Sequence, residues 1–382
     1  MLRFINASAA IAMVLIMVCA AAGITIDHND TEITGLSLNA INLAKDCLHI
    51  GYGHTSHGSQ VTDGMTGLNT FINGGGLGTS FPTDTFRWVD SSSPPSGTLD
   101  LDNYFVDGDL GNPDRTTWAA RTRSYLNNSA NKDVNVIMWS WCGQADTSAA
   151  NIDLYLNTMN QLEIDYPKVS FIYMTGHVNG CSTTGNLFYR NQQIRDYCTA
   201  NDKILYDFAD IESWDPDGNY YGDKLVSDEC WYDSDGNGSR DKNWALDWQN
   251  ASEHVEDVDW FDCSCAHSQP LNGNQKAYAA WSLWTEIAES LPHIGGDANG
   301  DGRVDDSDAA RLAANWLSNS AGWADGDFSG DGLVDDADAT LLAANWQTGL
   351  PSASVPEPAL AVLLISVLVS VTVVLKPRRA IY

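Results

Sequence analysis

Four short apolar runs recur along the first two thirds of the chain, at residues 47–52, 134–139, 169–174 and 204–208. Between them, residues 152–166 and 188–200 place apolar side chains at three- and four-residue intervals, the period of an amphipathic helix. Strands that alternate with helices need crossover connections. The pattern therefore predicts an α/β fold with a mostly parallel sheet and helices on both faces. A last helix is predicted over residues 275–290, where Trp281 and Trp284 on adjacent turns pack it onto the sheet.

The two ends of the chain read differently. Residues 1–22 carry Arg3, an apolar run over 10–18 and the small residues Ala20, Ala21 and Ala22, the layout of an export signal. Val18 before Cys19 is too bulky for lipid attachment. Residues 359–375 form an apolar run near the minimum for a membrane helix, followed by Lys376, Arg378 and Arg379, which would stay cytoplasmic. The bulk of the protein is then exported and faces outward, anchored at its C-terminus at least transiently. Residues 23–293 hold the only core large enough for a catalytic domain.

Charge narrows the function classes. The chain has 50 acidic and 20 basic residues, a formal net charge of −30. No basic stripe exists to neutralise phosphates, which excludes nucleic acid as a partner. Beyond the export signal lie Cys47, Cys142, Cys181, Cys198, Cys230, Cys263 and Cys265. In an oxidising compartment some are expected to pair, with at least one left over.

Much of the acidity sits in a duplicated loop. Asp297, Asn299, Asp301, Asp305 and Asp308 occupy loop positions 1, 3, 5, 9 and 12; Asp327, Ser329, Asp331, Asp335 and Asp338 repeat them thirty residues on. Gly302 and Gly332 stand at position 6. The backbone carbonyls of Arg303 and Leu333 complete position 7, giving a hard cation six or seven oxygens. Each loop runs into a Leu-Ala-Ala-Asn-Trp segment, with Leu312 and Trp316 or Leu342 and Trp346 as core. Loop and helix duplicated together over residues 294–349 resemble a dockerin module. That resemblance implies two bound calcium ions and a cohesin-type scaffold domain as partner. A third set of oxygens, Asp233, Asp235 and Asn237, has similar spacing but Trp244 at position 12; it reads as a third calcium loop or a polar surface loop. Residues 350–382, with Val355, Pro356, Glu357 and Pro358 before the apolar run and arginines, resemble a PEP-CTERM sorting tail, which implies recognition by a membrane sorting enzyme.

The segments that follow the predicted strands are small and polar: residues 53–58, 140–144, 175–180 and 209–212. In open α/β sheets ligands bind beyond the carboxyl ends of strands. Ser56 follows the first of these strands between Gly53 and Gly58, and His267 precedes the last helix. A serine there can attack a carbonyl if a histidine takes its proton. The arrangement resembles the SGNH/GDSL hydrolases, flavodoxin-like esterases, over most of residues 40–290. Residues 53–56 stand in place of the family's Gly-Asp-Ser box, and Ser264 in place of the aspartate of its Asp-x-x-His motif. Asp262 is the substitute orienting carboxylate, unless Ser56 and His267 act as a dyad. Gly143 and Gln144 occupy the strand end of the family's oxyanion asparagine. His54, His177 and Asn179 are expected to line the pocket. His54, His57 and His177 also form a conceivable metal cluster. The structural alternatives are that Ser56 caps a helix and His267 is a hydrogen-bonded loop residue. Two functions follow as expectations: a tethered ester hydrolase acting on acylated polysaccharide, or a non-catalytic glycan- or matrix-binding protein using the same cleft.

Overall fold

The computed structural model describes residues 23–291, 293–319 and 321–349. The expected export signal (residues 1–22) and sorting tail (residues 350–382) lie outside the described residues. Among the described residues no helix is long and apolar enough to cross a membrane.

The elements run β1 (Thr25–Ile26), α1 (Leu38–Cys47), β2 (His49–Gly53), α2 (Ser56–Asn73), β3 (Trp88–Val89), β4 (Leu99–Asn103), α3 (Thr117–Leu126), β5 (Val136–Trp139), α4 (Ala149–Asp165), β6 (Ser170–Met174), α5 (Asn186–Ala200), β7 (Ile204–Tyr206), α6 (Phe208–Ile211), β8 (Trp231–Tyr232), β9 (Lys242–Asn243), α7 (Trp244–Gln249), α8 (Pro270–Ser290), α9 (Asp306–Ala314) and α10 (Asp336–Ala344). Seven strands form one sheet in the order β1-β7-β6-β5-β2-β4-β3, every pair parallel. Its central strands, read as 4-2-5-6-7, have the doubly wound flavodoxin-like order, and the direction of winding reverses at β2. The expected α/β class holds, and the four predicted strands are β2, β5, β6 and β7.

Burial on both faces explains the continuous apolar runs. Val136 and Met138 of β5 join the cluster under α1, α2 and α8, while Ile137 and Trp139 join the one under α3, α4 and α5. Helix α8 is covered along almost its whole length; Trp281 and Trp284 are fully buried, as their spacing predicts. The same helix buries a charge. Lys276 Nζ lies 2.7 Å from Glu212 Oε2, both groups essentially inaccessible, and Nζ sits 3.7 Å above the Phe208 ring. The other Glu212 oxygen accepts the Val178 N–H. A buried ion pair in the core thereby fixes the loop that carries His177.

Ala298, Val304, Leu312, Phe328, Val334 and Leu342 make a separate small core between α9 and α10, with Trp316 and Trp346 half-buried against it. This module is seated on α1. Arg311 of α9 forms a two-pronged ion pair with Asp46, the second contact at 3.1 Å. Gly300 packs so closely on Cys47 that a Cβ there would lie 2.3 Å from the Cys47 Cβ.

The expected disulfides are not formed among the described residues: Cys47, Cys142, Cys181, Cys198, Cys230, Cys263 and Cys265 are all free thiols. Cys47, Cys198 and Cys230 are buried in three different apolar clusters, so the fold itself keeps them apart.

Candidate functional site

Strands β2 and β5 end side by side, with Gly53 paired to Trp139 and the Ser140 N–H bonded to the Gly53 carbonyl at 2.9 Å. This is the topological switch point, where the loops leaving two neighbouring strands diverge and open a crevice. Helix α2 begins there at Ser56, and no side chain caps its first turn. Its leading N–H groups therefore point, unpartnered by the helix, toward the crevice. Close backbone approach is built in: a Cβ on Gly58 would fall 2.1 Å from Ser140 Oγ.

Three side chains meet in line. Cys142 Sγ lies 3.2 Å from His57 Nδ1, and His57 Nε2 lies 3.0 Å from Asp228 Oδ2. Ser56 Oγ adds a contact of 3.4 Å to the same sulfur. Burial, above all, holds the His57 imidazole below its ordinary pKa, against the pull of the Asp228 hydrogen bond. For Asp228 burial works the other way, but the His57 hydrogen bond and the two imidazoles beside it outweigh it and keep the carboxyl below the usual range. The pair thus favours a neutral imidazole next to a carboxylate, the poise of a general base.

Two more imidazoles flank His57. The His177 ring stacks on one side at 3.9 Å and the His267 ring on the other at 4.6 Å. His267 is exposed and holds a left-handed backbone, φ 62°, a conformation uncommon outside glycine. Gln60 of α2 anchors its loop by donating to the Ala266 carbonyl.

Several sequence-derived assignments move. Ser56 Oγ meets the Cys142 sulfur rather than an imidazole, and His267 reaches the site by stacking on His57. Asp262 is exposed and has no hydrogen bond to His267; the carboxylate that meets an imidazole here is Asp228, against His57. Gln144 faces inward: its Oε1 accepts the Cys142 N–H at 3.1 Å and its Nε2 donates to Asp109 at 3.2 Å. Asp109, buried, also receives the Thr55 hydroxyl at 2.8 Å, so it clamps the ends of both strand loops. Gly143 lies in the short turn after Cys142 with open space beside it. His54 is fully buried and bonded to Asn103 at 2.6 Å, a structural role. Asn179 and His177 do line a pocket, of about 340 Å³, together with Ser227, Asp228, Glu229, Trp231 and Arg240.

The duplicated loops have the geometry that a hard cation needs. Asp327 accepts the N–H groups of Gly330, Asp331 and Gly332, and Asp338 accepts those of Ser329 and Asp335. In the first loop Asp297 Oδ1 is buried without any hydrogen-bond partner. Its carboxyl is pushed up to about 6 by burial, opposed by the Gly302 N–H and reinforced by Asp308 and Asp301. An orphaned oxygen among crowded carboxylates fits calcium. Residues 233–241 copy the pattern: Asp233 accepts the N–H groups of Gly236, Asn237 and Gly238, at the same offsets as Asp327. Trp244, at position 12, is buried at the start of α7, and Asp241, at position 9, accepts from the Ser234 N–H and hydroxyl at 2.9 Å each.

Residues 295–346 match the dockerin type I domain, a domain that generally binds calcium. No curated protein and no solved structure matches the chain.

Proposed function

We propose that this protein is an exported acyl-ester hydrolase held on a scaffold through its dockerin domain, with Cys142 as nucleophile, His57 as general base and Asp228 as the carboxylate that orients His57. The observation that carries the reading is the hydrogen-bonded line Cys142–His57–Asp228 at the mouth of the switch point. His57 Nδ1 takes the thiol proton, the sulfur attacks the ester carbonyl, and the alcohol leaves with that proton. Water then hydrolyses the thioester with His57 again as base. The uncapped first turn of α2 supports the negative charge that develops on sulfur or on the carbonyl oxygen. Ser56 helps to hold the sulfur.

A dockerin implies a cohesin partner and an extracellular or cell-surface setting. Dockerins commonly accompany polysaccharide-degrading enzymes, so the acyl group removed is assigned to a polysaccharide. Trp231, 38% exposed at the pocket, offers a flat face to a sugar ring. The reading includes calcium in the loops 297–308 and 327–338, a third ion in 233–241, and a sorting enzyme acting on residues 350–382.

The test is release of acetate or p-nitrophenol by calcium-loaded protein and its loss in Cys142→Ala. Activity that survives Cys142→Ala but not Ser56→Ala returns the nucleophile to the serine. The second reading, a binder of glycan or matrix, draws on Trp231 and Arg240 in the same pocket; it prevails if both variants bind polysaccharide normally and no ester is cleaved by the wild type.

A further inference from the structure

Ring nitrogens of His57 and His177 and a carboxylate oxygen of Asp228 all lie within 4.8 Å of one another. The imidazoles are 6% and 8% exposed and stack nearly parallel, 5° apart. His177 Nδ1 faces the Val178 carbonyl at 2.6 Å, and that carbonyl can only accept, so Nδ1 carries the proton and Nε2 keeps a lone pair. Nε2 has no hydrogen-bond partner among the described residues, and His177 lines the open pocket beside Asp228. A lone pair fixed by a backbone carbonyl on the far nitrogen is how proteins prepare a histidine for a metal. Val178 is itself held by Glu212 and, through it, Lys276.

We infer that His57, His177 and Asp228 form a binding site for one divalent transition-metal ion of the zinc class, and that the ion switches off the thiol chemistry proposed above. The donor set argues for the metal. Two neutral imidazoles and one carboxylate suit zinc and leave a fourth position open, whereas calcium and magnesium prefer oxygen alone. Ligand atoms about 2.0–2.2 Å from a tetrahedral zinc stand about 3.3–3.6 Å apart; His57 Nε2 and Asp228 Oδ2 are 3.0 Å apart and the His177 nitrogen lies within 4.8 Å of both, so small turns of the side chains supply the fit.

The switch follows from proton placement and rests on the hydrolase reading. To accept the Cys142 proton at Nδ1, His57 must carry its own hydrogen on Nε2, where it donates to Asp228. A metal takes the Nε2 lone pair and moves that hydrogen to Nδ1. Nδ1 can then only donate toward sulfur, and the base is gone. Asp228 is drawn onto the metal in the same step.

The experiment uses the full chain with saturating calcium, so that the dockerin loops are filled, and titrates Co²⁺ as a coloured stand-in for zinc. One equivalent of Co²⁺ should produce the intense visible bands of a four-coordinate site, and Zn²⁺ should displace them. Outer-sphere changes alone weaken metal sites about 10–100-fold, so His177→Ala should weaken binding by at least about 100-fold. His177→Gln, closer in volume, replaces it if the alanine variant melts abnormally. Zn²⁺ should abolish ester hydrolysis with the same midpoint as binding. Absence of the bands, or bands unchanged in the His177 variant, overturns the site. Hydrolysis that appears only with metal overturns the switch and makes the ion catalytic. Bands without any ester hydrolysis leave the metal site standing and remove the thiol reading.

Discussion

Asp228 and His57 are 171 positions apart in the sequence, yet Asp228 Oδ2 and His57 Nε2 face each other at 3.0 Å. The carboxylate comes from the long insertion between β7 and α8, the imidazole from the first turn of α2. Exchange of Asp228 for asparagine keeps the shape but can favour the wrong tautomer of His57. In Asp228→Asn, kcat for a p-nitrophenyl ester should fall on the order of 10²-fold, within the range for general acid–base catalysis, while KM changes little. A steady-state comparison with the wild type checks it.

Removal of calcium should melt the C-terminal module and spare the sheet. Metal-binding energy is folding energy in such loops, and Asp297 Oδ1 has no other partner. With EDTA, α9 and α10 should lose helicity and become open to protease, whereas the buried α8 stays protected. Limited proteolysis read by mass spectrometry separates the two regions; protection of residues 306–344 without calcium contradicts the assignment.

Lys276→Ala leaves Glu212 buried without its counter-charge. Breaking such a pair typically costs about 3–5 kcal/mol, and the urea midpoint should drop accordingly. Because Glu212 also holds Val178, the variant should disturb His177 as well, seen as slower hydrolysis in the fraction that remains folded. A double variant, Lys276→Met with Glu212→Gln, should recover most of the stability.

Arg311→Ala severs the ion pair to Asp46. The pair is partly exposed, 31% and 12%, so its contribution is small, on the order of 1 kcal/mol. The informative change is local. Hydrogen exchange should quicken in α1 and α9 together, while exchange in α4 and α5 on the opposite face stays as in the wild type.

The sheet was legible because both of its faces are buried: β2, β5, β6 and β7 read as short, mostly apolar runs, and the helices between them keep a regular period. Strands of two residues, such as β1 and β3, carry no period at all, and β4, written Leu-Asp-Leu-Asp-Asn, alternates over only four positions with aspartates that are depleted in strands. The site was half legible. Residues at strand ends pointed to the crevice, and Ser56, His57, His177 and His267 all gather there. Which of them touch was hidden. Asp228 sits in a long insertion, outside the calcium-like loop it carries, where only the fold can bring it back, and Cys142 was counted among candidates for pairing although it follows β5 into the switch point. The one signal that favoured it was its place after that strand.

Only six positions separate the end of α8 at Ser290 from Asp297, and Arg311 and Gly300 lie against α1. A catalytic head on a long flexible leash would sweep a sphere of substrate around its anchor. Here the dockerin packs directly on α1 through the Arg311–Asp46 pair and the Gly300–Cys47 contact, so the bearing of the crevice would follow that of the gripped dockerin. On the proposed hydrolase reading, such a head would work like a plane on a bench: it would treat the polymer that passes its edge, with its reach decided by the scaffold rather than by diffusion.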